Sequence, residues 1–127
     1  MVLLDTDIMI DLLRQHAPAV AWLTALSDEE IILPGFVVME LIQGCGSREE
    51  QEKVQKALAT YAIQWPSAQA CHEALDIFAR YHLSHQIGMI DALIGALALS
   101  LGLVVHTFNQ KHYTMIPGLN TVQPYRK

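Results

Sequence analysis

The sequence predicts an α/β protein, a three-layer α/β/α sandwich in which helices cover both faces of a central, mainly parallel sheet. Short aliphatic segments, each about the length of a strand, alternate along the chain with longer apolar or amphipathic segments that suit helices. Such alternation is typical of parallel strands joined by crossover helices. No internal repeat, low-complexity tract or linker rich in Pro, Gly or Ser divides the sequence, so residues 1–127 are expected to form one domain.

In the first half of the chain, aliphatic runs and turn residues place the element boundaries. The predicted order is a strand over 2–6, a helix over 7–14, a helix over 18–26, a strand over 30–33 and a helix over 36–43. Pro18 suits the first turn of the second helix, where no backbone N–H is needed. Pro34 and Gly35 end the second strand, and Gly44 closes the third helix.

In the second half, capping residues mark the helices. The predicted order is a helix from 47 to about 61, a strand over 62–65, a helix from 67 to about 82, a helix over 89–101, a strand over 103–107 and a short strand over 120–123. Ser47 and Glu50 form a capping-box pattern, in which the hydroxyl and the carboxylate each accept from a free backbone N–H. Gly102 is expected to end its helix in the left-handed conformation.

Charge limits the classes of function. The net charge is −5 and only eight residues are Lys or Arg, which argues against broad electrostatic capture of nucleic acid. A nucleic-acid enzyme of this composition would need its acids gathered round metal ions, with its few cations along one rim or doubled in a dimer.

No segment of the sequence is expected to cross a membrane. The longest uncharged stretch, 92–110, is interrupted by small and polar residues and suits a buried helix followed by a buried strand. The N-terminus lacks the basic region and cleavage site of a signal peptide, so a cytoplasmic location is expected. Cys45 and Cys71 match no metal or redox spacing and are expected to be free, small and buried.

The first predicted strand ends in two carboxylates, Asp5 and Asp7, within the segment LLDTD. In α/β folds, active sites form at the carboxyl ends of the strands, where Thr107 and Asn109 also fall. An Asp after a strand often caps the next helix, but a cap explains only one of the two acids. The pair therefore predicts a functional site at this edge of the sheet.

Two further acids lie in apolar surroundings. Glu40 stands inside the segment VVMELI, where an unpaired ionised carboxylate is costly unless it reaches the surface, so it needs a cation or a shared proton. Asp91 begins an apolar helix rich in small residues, although an acid there could simply favour the helix dipole. Asp5, Glu40 and Asp91, brought together, could not all stay ionised without a counter-ion, for which Mg²⁺ or Mn²⁺ is expected.

Several segments together resemble the PIN-domain ribonucleases, in particular the VapC-type toxins of bacterial toxin–antitoxin pairs. They are LLDTD at 3–7, MELIQG at 39–44, MIDALIGA at 89–96, TFNQKHY at 107–113 and IPGL at 116–119. Each is weak alone, but they occur in the expected order over essentially the whole chain. The resemblance implies a PIN-like sandwich, a metal-dependent endoribonuclease that cuts RNA, a cognate antitoxin that holds it inactive, and a homodimer.

The resemblance also assigns site residues. Asp5, Glu40 and Asp91 match the family's three acids and are expected to bind the metal, directly or through water. Asn109 matches the fourth active-site position, where many members carry Asp, and the neutral amide leaves open whether one or two metal ions bind. The part played by four neighbouring residues is also open: Thr6, Asp7, Thr107 and His112.

The mechanism that fits these residues is in-line, metal-assisted hydrolysis of an RNA phosphodiester. One alternative is a catalytically silent PIN fold that binds RNA or a protein partner, which the negative net charge and Asn109 favour. Another is a phosphatase with an aspartyl nucleophile, since DTD after an aliphatic strand opens that motif too. The chain after Asp7 continues as a helix, however, and the later acids and Lys of the phosphatase motif are missing.

Overall fold

The computed structural model describes residues 1–26 and 29–127. Within those residues the strands and α-helices are, in order, β1 (Val2–Leu4), α1 (Thr6–Leu13), α2 (Ala17–Ala25), β2 (Ile31–Pro34), α3 (Gly35–Gln43), α4 (Arg48–Leu58), β3 (Ala62–Gln64), α5 (Ala68–His85), α6 (Met89–Leu101), β4 (Val105–His106) and β5 (Thr121–Val122). A 3₁₀ turn at Gln110–His112 precedes β5. None of the helices in the described ranges combines the length and the apolarity needed to cross a membrane.

The strands form a parallel sheet in the order β3-β2-β1-β4-β5. β1 is central, with Val2 opposite Ile31 of β2 and Leu3 opposite Val105 of β4. Parallel strands need long connections between them; pairs of α-helices supply the first three here, and the segment with the 3₁₀ turn supplies the one from β4 to β5. The predicted α/β class with a central parallel sheet is confirmed, and the carboxyl ends of β1 and β4 lie side by side.

The core lies between this sheet and the helices. All three residues of β1 are buried, as expected for a parallel strand that is covered on both faces. Among the helices, α5 packs along α6, while α1 packs against both α2 and α3. Tyr113, just after the 3₁₀ turn, is the largest residue by volume among the fully buried ones that the structure describes. Its polar hydroxyl therefore needs a partner inside the protein.

The predicted caps are confirmed, with two differences in detail. The Ser47 hydroxyl accepts from the Glu50 N–H, but the Glu50 carboxylate accepts from the N–H of Gly46 instead of that of Ser47. Helix α5 continues to His85, beyond the predicted end near 82, and Gln86 ends it in the left-handed conformation. A left-handed residue at the end of a helix is usually Gly, so Gln86 gave no signal in the sequence that the helix ends there.

Two other expectations are corrected. The strand predicted over 103–107 is limited to Val105–His106. Both cysteines are free, as expected, but Cys71 is exposed, because α5 turns Ala70 and Ala74 inward and Cys71 outward.

Candidate active site

Asp5 follows β1, caps α1 with one carboxylate oxygen and accepts from two side-chain hydroxyls with the other. Its Oδ1 atom accepts from the Thr6 N–H at 2.7 Å and caps α1. Its Oδ2 atom accepts from the hydroxyls of Thr107 and Tyr113, each at 2.9 Å. The side chain is only 6% exposed, so the cap places a buried carboxylate at the carboxyl edge of the sheet.

Asp91 reaches the same hydroxyl from the first turn of α6. Its Oδ2 atom accepts from the N–H of Gly88 at 3.1 Å and lies 3.6 Å from Nδ1 of His112. Its Oδ1 atom lies 3.5 Å from the Tyr113 hydroxyl. The structure therefore brings one oxygen of Asp5 and one oxygen of Asp91 within 3.5 Å of the same phenol oxygen.

Glu40 joins the site through α1. Its Oε1 atom accepts from the Thr6 hydroxyl at 2.8 Å, and Thr6 is the residue whose N–H Asp5 caps. Glu40 is half-buried, not enclosed on every side, because its neighbour Met39 is 56% exposed and this side of α3 faces outward. The Thr6 hydroxyl bonds only Oε1, and Oε2 has no hydrogen-bond partner among the described residues, so the cation or shared proton expected at Glu40 stays a prediction.

Asp7 fastens the loop after β4 to the start of α1. Its Oδ2 atom accepts from the N–H of Phe108 at 2.8 Å and from Nδ2 of Asn109 at 3.3 Å, and the Thr107 hydroxyl lies at 3.4 Å. Asn109 is exposed, and its own N–H donates to the Thr107 hydroxyl at 2.9 Å. Asn109 thus lies at the rim, bonded to Asp7, and its placement does not test the catalytic role predicted for it.

Charge repulsion and burial perturb the acids of the site. Burial raises the pKa of Asp7, Glu40 and Asp91, and the negative charge of Asp5 raises each of these pKa values further. Burial, followed by the charges of Asp5 and Asp91, also holds the pKa of Tyr113 well above its ordinary value of 10.0. The phenol is therefore a neutral hydrogen-bond donor at physiological pH.

The acids lack a cationic side chain of their own. Within residues 1–26 and 29–127, neither Lys nor Arg forms an ion pair with Asp5, Asp7, Glu40 or Asp91, and only the His112 ring approaches one of them. Their oxygens are the donors that Mg²⁺ and Mn²⁺ prefer. The donor chemistry therefore fits a hard divalent cation, although the same ranges contain no ready-made group of three or more acidic, His or Cys side chains that could hold a metal ion.

Tyr113 is the site residue that sequence reasoning missed. It was part of a matched segment, but a single Tyr beside Lys111 and His112 gives no local sign that it is buried or contacts the acids. Its contact with Asp5 spans 108 positions along the chain, so no local pattern reveals it. The available signal was indirect: a Tyr that is buried next to predicted acids needs an acceptor for its hydroxyl.

Comparisons with known proteins agree with this fold. The family model described as the PIN domain matches residues 2–115. Ribonuclease VapC10 from Mycobacterium tuberculosis is 34% identical over 121 residues, which cover 94% of this chain and 90% of the relative.

Solved structures give the same result. A toxin–antitoxin complex from Klebsiella pneumoniae is similar, with a TM-score of 0.79, 26% identity and 100% of both chains covered. VapBC2 from Rickettsia felis, solved with a DNA fragment from its promoter, shares the fold at a TM-score of 0.77 and 24% identity, over 96% of this chain and 98% of that one. This chain therefore belongs to the PIN-domain family and, within it, to the VapC ribonucleases.

Proposed function

We propose that this VapC-family ribonuclease requires Mg²⁺ or Mn²⁺ to cut RNA, and that Asp5, Glu40 and Asp91 hold the metal. The observation that carries the proposal is the gathering of buried or half-buried carboxylates at one edge of the sheet, with no Lys or Arg paired to them in the described part of the chain. Several like charges this close need a counter-charge to stay ionised together. A bound divalent cation would supply it.

The chain's own residues position the reactants. Asp5 caps α1 and Asp91 lies in the first turn of α6, and both carboxylates lie beside the Tyr113 hydroxyl, so both would ligate the cation from fixed elements. Thr6 holds Oε1 of Glu40, which leaves Oε2 for the cation or for the attacking water. When bound, such a cation makes a coordinated water more acidic and offsets the charge of the scissile phosphate. Asn109, at the rim, would orient water or phosphate through its amide.

A cavity beside the acids suits the RNA chain. It has a volume of about 390 Å³, lies between α1, α3 and α4, and has Glu40 in its wall. Arg14 and Lys53 also line it, and their positive charges would attract phosphates on either side of the cleaved bond. Arg14 and Lys53 would locally offset the net charge of −5, which otherwise repels RNA.

The remaining parts of the proposal concern partners and location. The similar Klebsiella pneumoniae structure is described as a toxin–antitoxin complex, which supports a cognate antitoxin that binds and inhibits this chain. A homodimer and a cytoplasmic location follow from the family resemblance. Co-purification of the chain with the product of a neighbouring small open reading frame, and loss of cleavage in the complex, would test the antitoxin.

The central experiment measures RNA cleavage by purified protein with added Mg²⁺ or Mn²⁺ and with a chelator. Asp91→Asn should lower the rate by at least about 100-fold, since even residues that only support a metal ligand typically contribute 10–100-fold. Asp11→Asn is the matched control, because Asp11 is also buried but contacts Tyr125 and Lys127 instead of the site. It should retain cleavage within about threefold of the wild type.

Two results would contradict the proposal. Equal cleavage with metal and with chelator would remove the metal from the mechanism. RNA binding without cleavage at any metal concentration would instead identify the silent binding module. A phosphatase is already disfavoured, because the second carboxylate of DTD, Asp7, is bonded to the backbone of Ile8 and Phe108.

A further inference from the structure

The Tyr113 hydroxyl is the only described side-chain donor bonded to both Asp5 and Asp91. It lies 2.9 Å from Oδ2 of Asp5 and 3.5 Å from Oδ1 of Asp91. Asp5 ends β1 and Asp91 opens α6, so this contact joins two elements whose relative position decides the distance between the two acids. The bridging atom belongs to a side chain that is 0% exposed.

The backbone around Tyr113 holds the ring in place. The Tyr113 N–H donates to the carbonyl of Gln110 at 2.9 Å, and the Tyr113 carbonyl accepts from Ile116 at 3.1 Å. Gly95 lets this segment approach α6, because a Cβ atom at Gly95 would lie 2.7 Å from Cδ1 of Ile116 and 3.9 Å from Cδ1 of Tyr113. The ring is therefore packed against α6 itself, the helix that carries Asp91.

One hydroxyl proton cannot serve two acceptors equally. The shorter distance assigns it to Asp5, and Asp91 is left with a long contact on Oδ1 and a backbone N–H on Oδ2. The hydroxyl thus directs the Asp5 carboxylate through its hydrogen bond and fixes the distance at which Asp91 lies beside it, without neutralising either carboxylate. An arrangement of this kind supports metal ligands, because residues that orient ligands raise metal affinity without binding the metal themselves.

Building on the proposed function, we infer that Tyr113 is a positioning residue: its hydroxyl sets the spacing and direction of the Asp5 and Asp91 carboxylates for the divalent cation. A purely structural role is the competing explanation, since a buried phenol also fills the core and satisfies a buried carboxylate. The two explanations differ in metal affinity. If Tyr113 is a positioning residue, loss of its hydroxyl weakens metal binding beyond any effect on the stability of the fold. If its role is purely structural, only the stability of the fold changes.

The chain offers a matched control for this test. Tyr125 donates its hydroxyl to Oδ2 of Asp11 at 2.8 Å, nearly the same bond made to another buried Asp away from the site. Mn²⁺ binding by the whole chain is measured by isothermal titration calorimetry for the wild type, Tyr113→Phe and Tyr125→Phe. Tyr113→Phe should weaken the Kd for Mn²⁺ by about 10–100-fold. Tyr125→Phe should leave it within about twofold of the wild type.

RNA cleavage at saturating Mn²⁺ supplies a second readout. In Tyr113→Phe, kcat should return to within about threefold of the wild type once enough Mn²⁺ is added, because the hydroxyl acts through the metal ligands. If Tyr113→Phe is unstable without metal, the shift of its unfolding midpoint with Mn²⁺ concentration gives the Kd, since binding to the native state stabilises it by mass action.

An unchanged Kd for Mn²⁺ in Tyr113→Phe, with an unfolding midpoint lowered as in Tyr125→Phe, would overturn the inference and leave the metal-dependent nuclease intact. A kcat that stays low at saturating Mn²⁺ would also overturn it, because the hydroxyl would then act on the reaction itself. Absence of Mn²⁺ binding by the wild type would overturn the proposed function together with this inference.

Discussion

Asp5 and Asp11 are buried to nearly the same degree, at 6% and 8% exposure, yet their surroundings differ in charge. Each accepts a hydrogen bond from a tyrosine hydroxyl, Asp5 at 2.9 Å and Asp11 at 2.8 Å. Asp11 also has an ammonium group close by, Nζ of Lys127 at 3.4 Å. Asp5 has in its place the negative charges of Asp7, Glu40 and Asp91, whose pKa values it raises.

This difference lies in what compensates each carboxylate. The chain itself completes the surroundings of Asp11: Lys127 pairs with the carboxylate and also lies 4.6 Å from the centre of the Phe108 ring. Around Asp5, residues 1–26 and 29–127 supply hydrogen-bond donors, and no Lys or Arg among them pairs with its carboxylate. A buried charge is costly unless it is paired, and for this reason the acids around Asp5 are the ones proposed to bind a divalent cation. Burial alone would not have distinguished the two aspartates.

The largest expected effect is stabilisation by metal. At a Mg²⁺ or Mn²⁺ concentration of 100 times the Kd, the free energy of unfolding should rise by about 2.7 kcal/mol in the wild type, because the ion binds only the folded acids. Asp11→Asn should show the same rise and Asp5→Asn almost none. Thermal unfolding with and without metal measures both, and an equal response in the two variants would abolish the distinction between the acids.

The second prediction concerns stability without metal. Asp11→Asn should lower the free energy of unfolding by about 1–3 kcal/mol, because it disturbs the bonds of a buried group to Tyr125 and Lys127. Glu40→Gln keeps an oxygen for the Thr6 hydroxyl and removes a repelling charge, so stability should rise, by less than about 1 kcal/mol. Urea unfolding compares them, and a clear loss of stability in Glu40→Gln would mean that its charge is compensated.

The third prediction is a pH dependence of stability in the metal-free protein. The folded state raises the pKa of Asp7 and Asp91 above 3.8 and that of Glu40 above 4.5, so in this range the folded chain binds more protons than the unfolded chain. These acids should therefore favour folding fully below about pH 4, and their contribution should be lost as the pH rises through the raised values.

Saturating Mg²⁺ should reverse that trend, because the metal needs ionised ligands and binds more tightly as the pH rises. Urea unfolding over pH 4–8, with and without Mg²⁺, checks the sign, and Glu40→Gln should reduce the pH dependence of the metal-free protein. Parallel profiles with and without the ion would contradict the coupling.

The smallest effect should come from Lys127→Ala. The ammonium group is partly exposed to water, so its removal should cost only about 0.2–1 kcal/mol in the free energy of unfolding, less at high salt. Cleavage should not change. A loss of cleavage in Lys127→Ala would mean that the surroundings of Asp11 influence the acids at the other end of α1.

Local sequence signals predicted the order of the helices and strands better than they predicted the contacts of the candidate active site. Ser47 and Gly102 marked helix ends correctly, because caps depend on neighbours a few residues away. The acids Asp5, Glu40 and Asp91 stood out as carboxylates in apolar segments. Their roles as metal ligands stay a prediction, as does that of Asn109.

What the sequence could not show depends on contacts between distant residues. Tyr113 meets Asp5 across 108 positions, and Tyr125 meets Asp11 across 114. Both pairs involve a Tyr and an Asp, so composition treats them alike. Only the folded chain shows that Asp11 lies beside the Lys127 ammonium group, whereas Asp5 lies beside other acids.

The side-by-side placement of β1 and β4 has a consequence for when activity can arise. Leu3 pairs with Val105, and the Asp5 carboxylate receives hydrogen bonds from Thr107 and Tyr113, so the acid cluster needs two segments about 100 residues apart in the sequence. Contacts between such distant segments form late, after the intervening chain has condensed. A chain whose synthesis has not yet passed Tyr113 therefore lacks part of the cluster, so the complete site can arise only after most of the chain has been made.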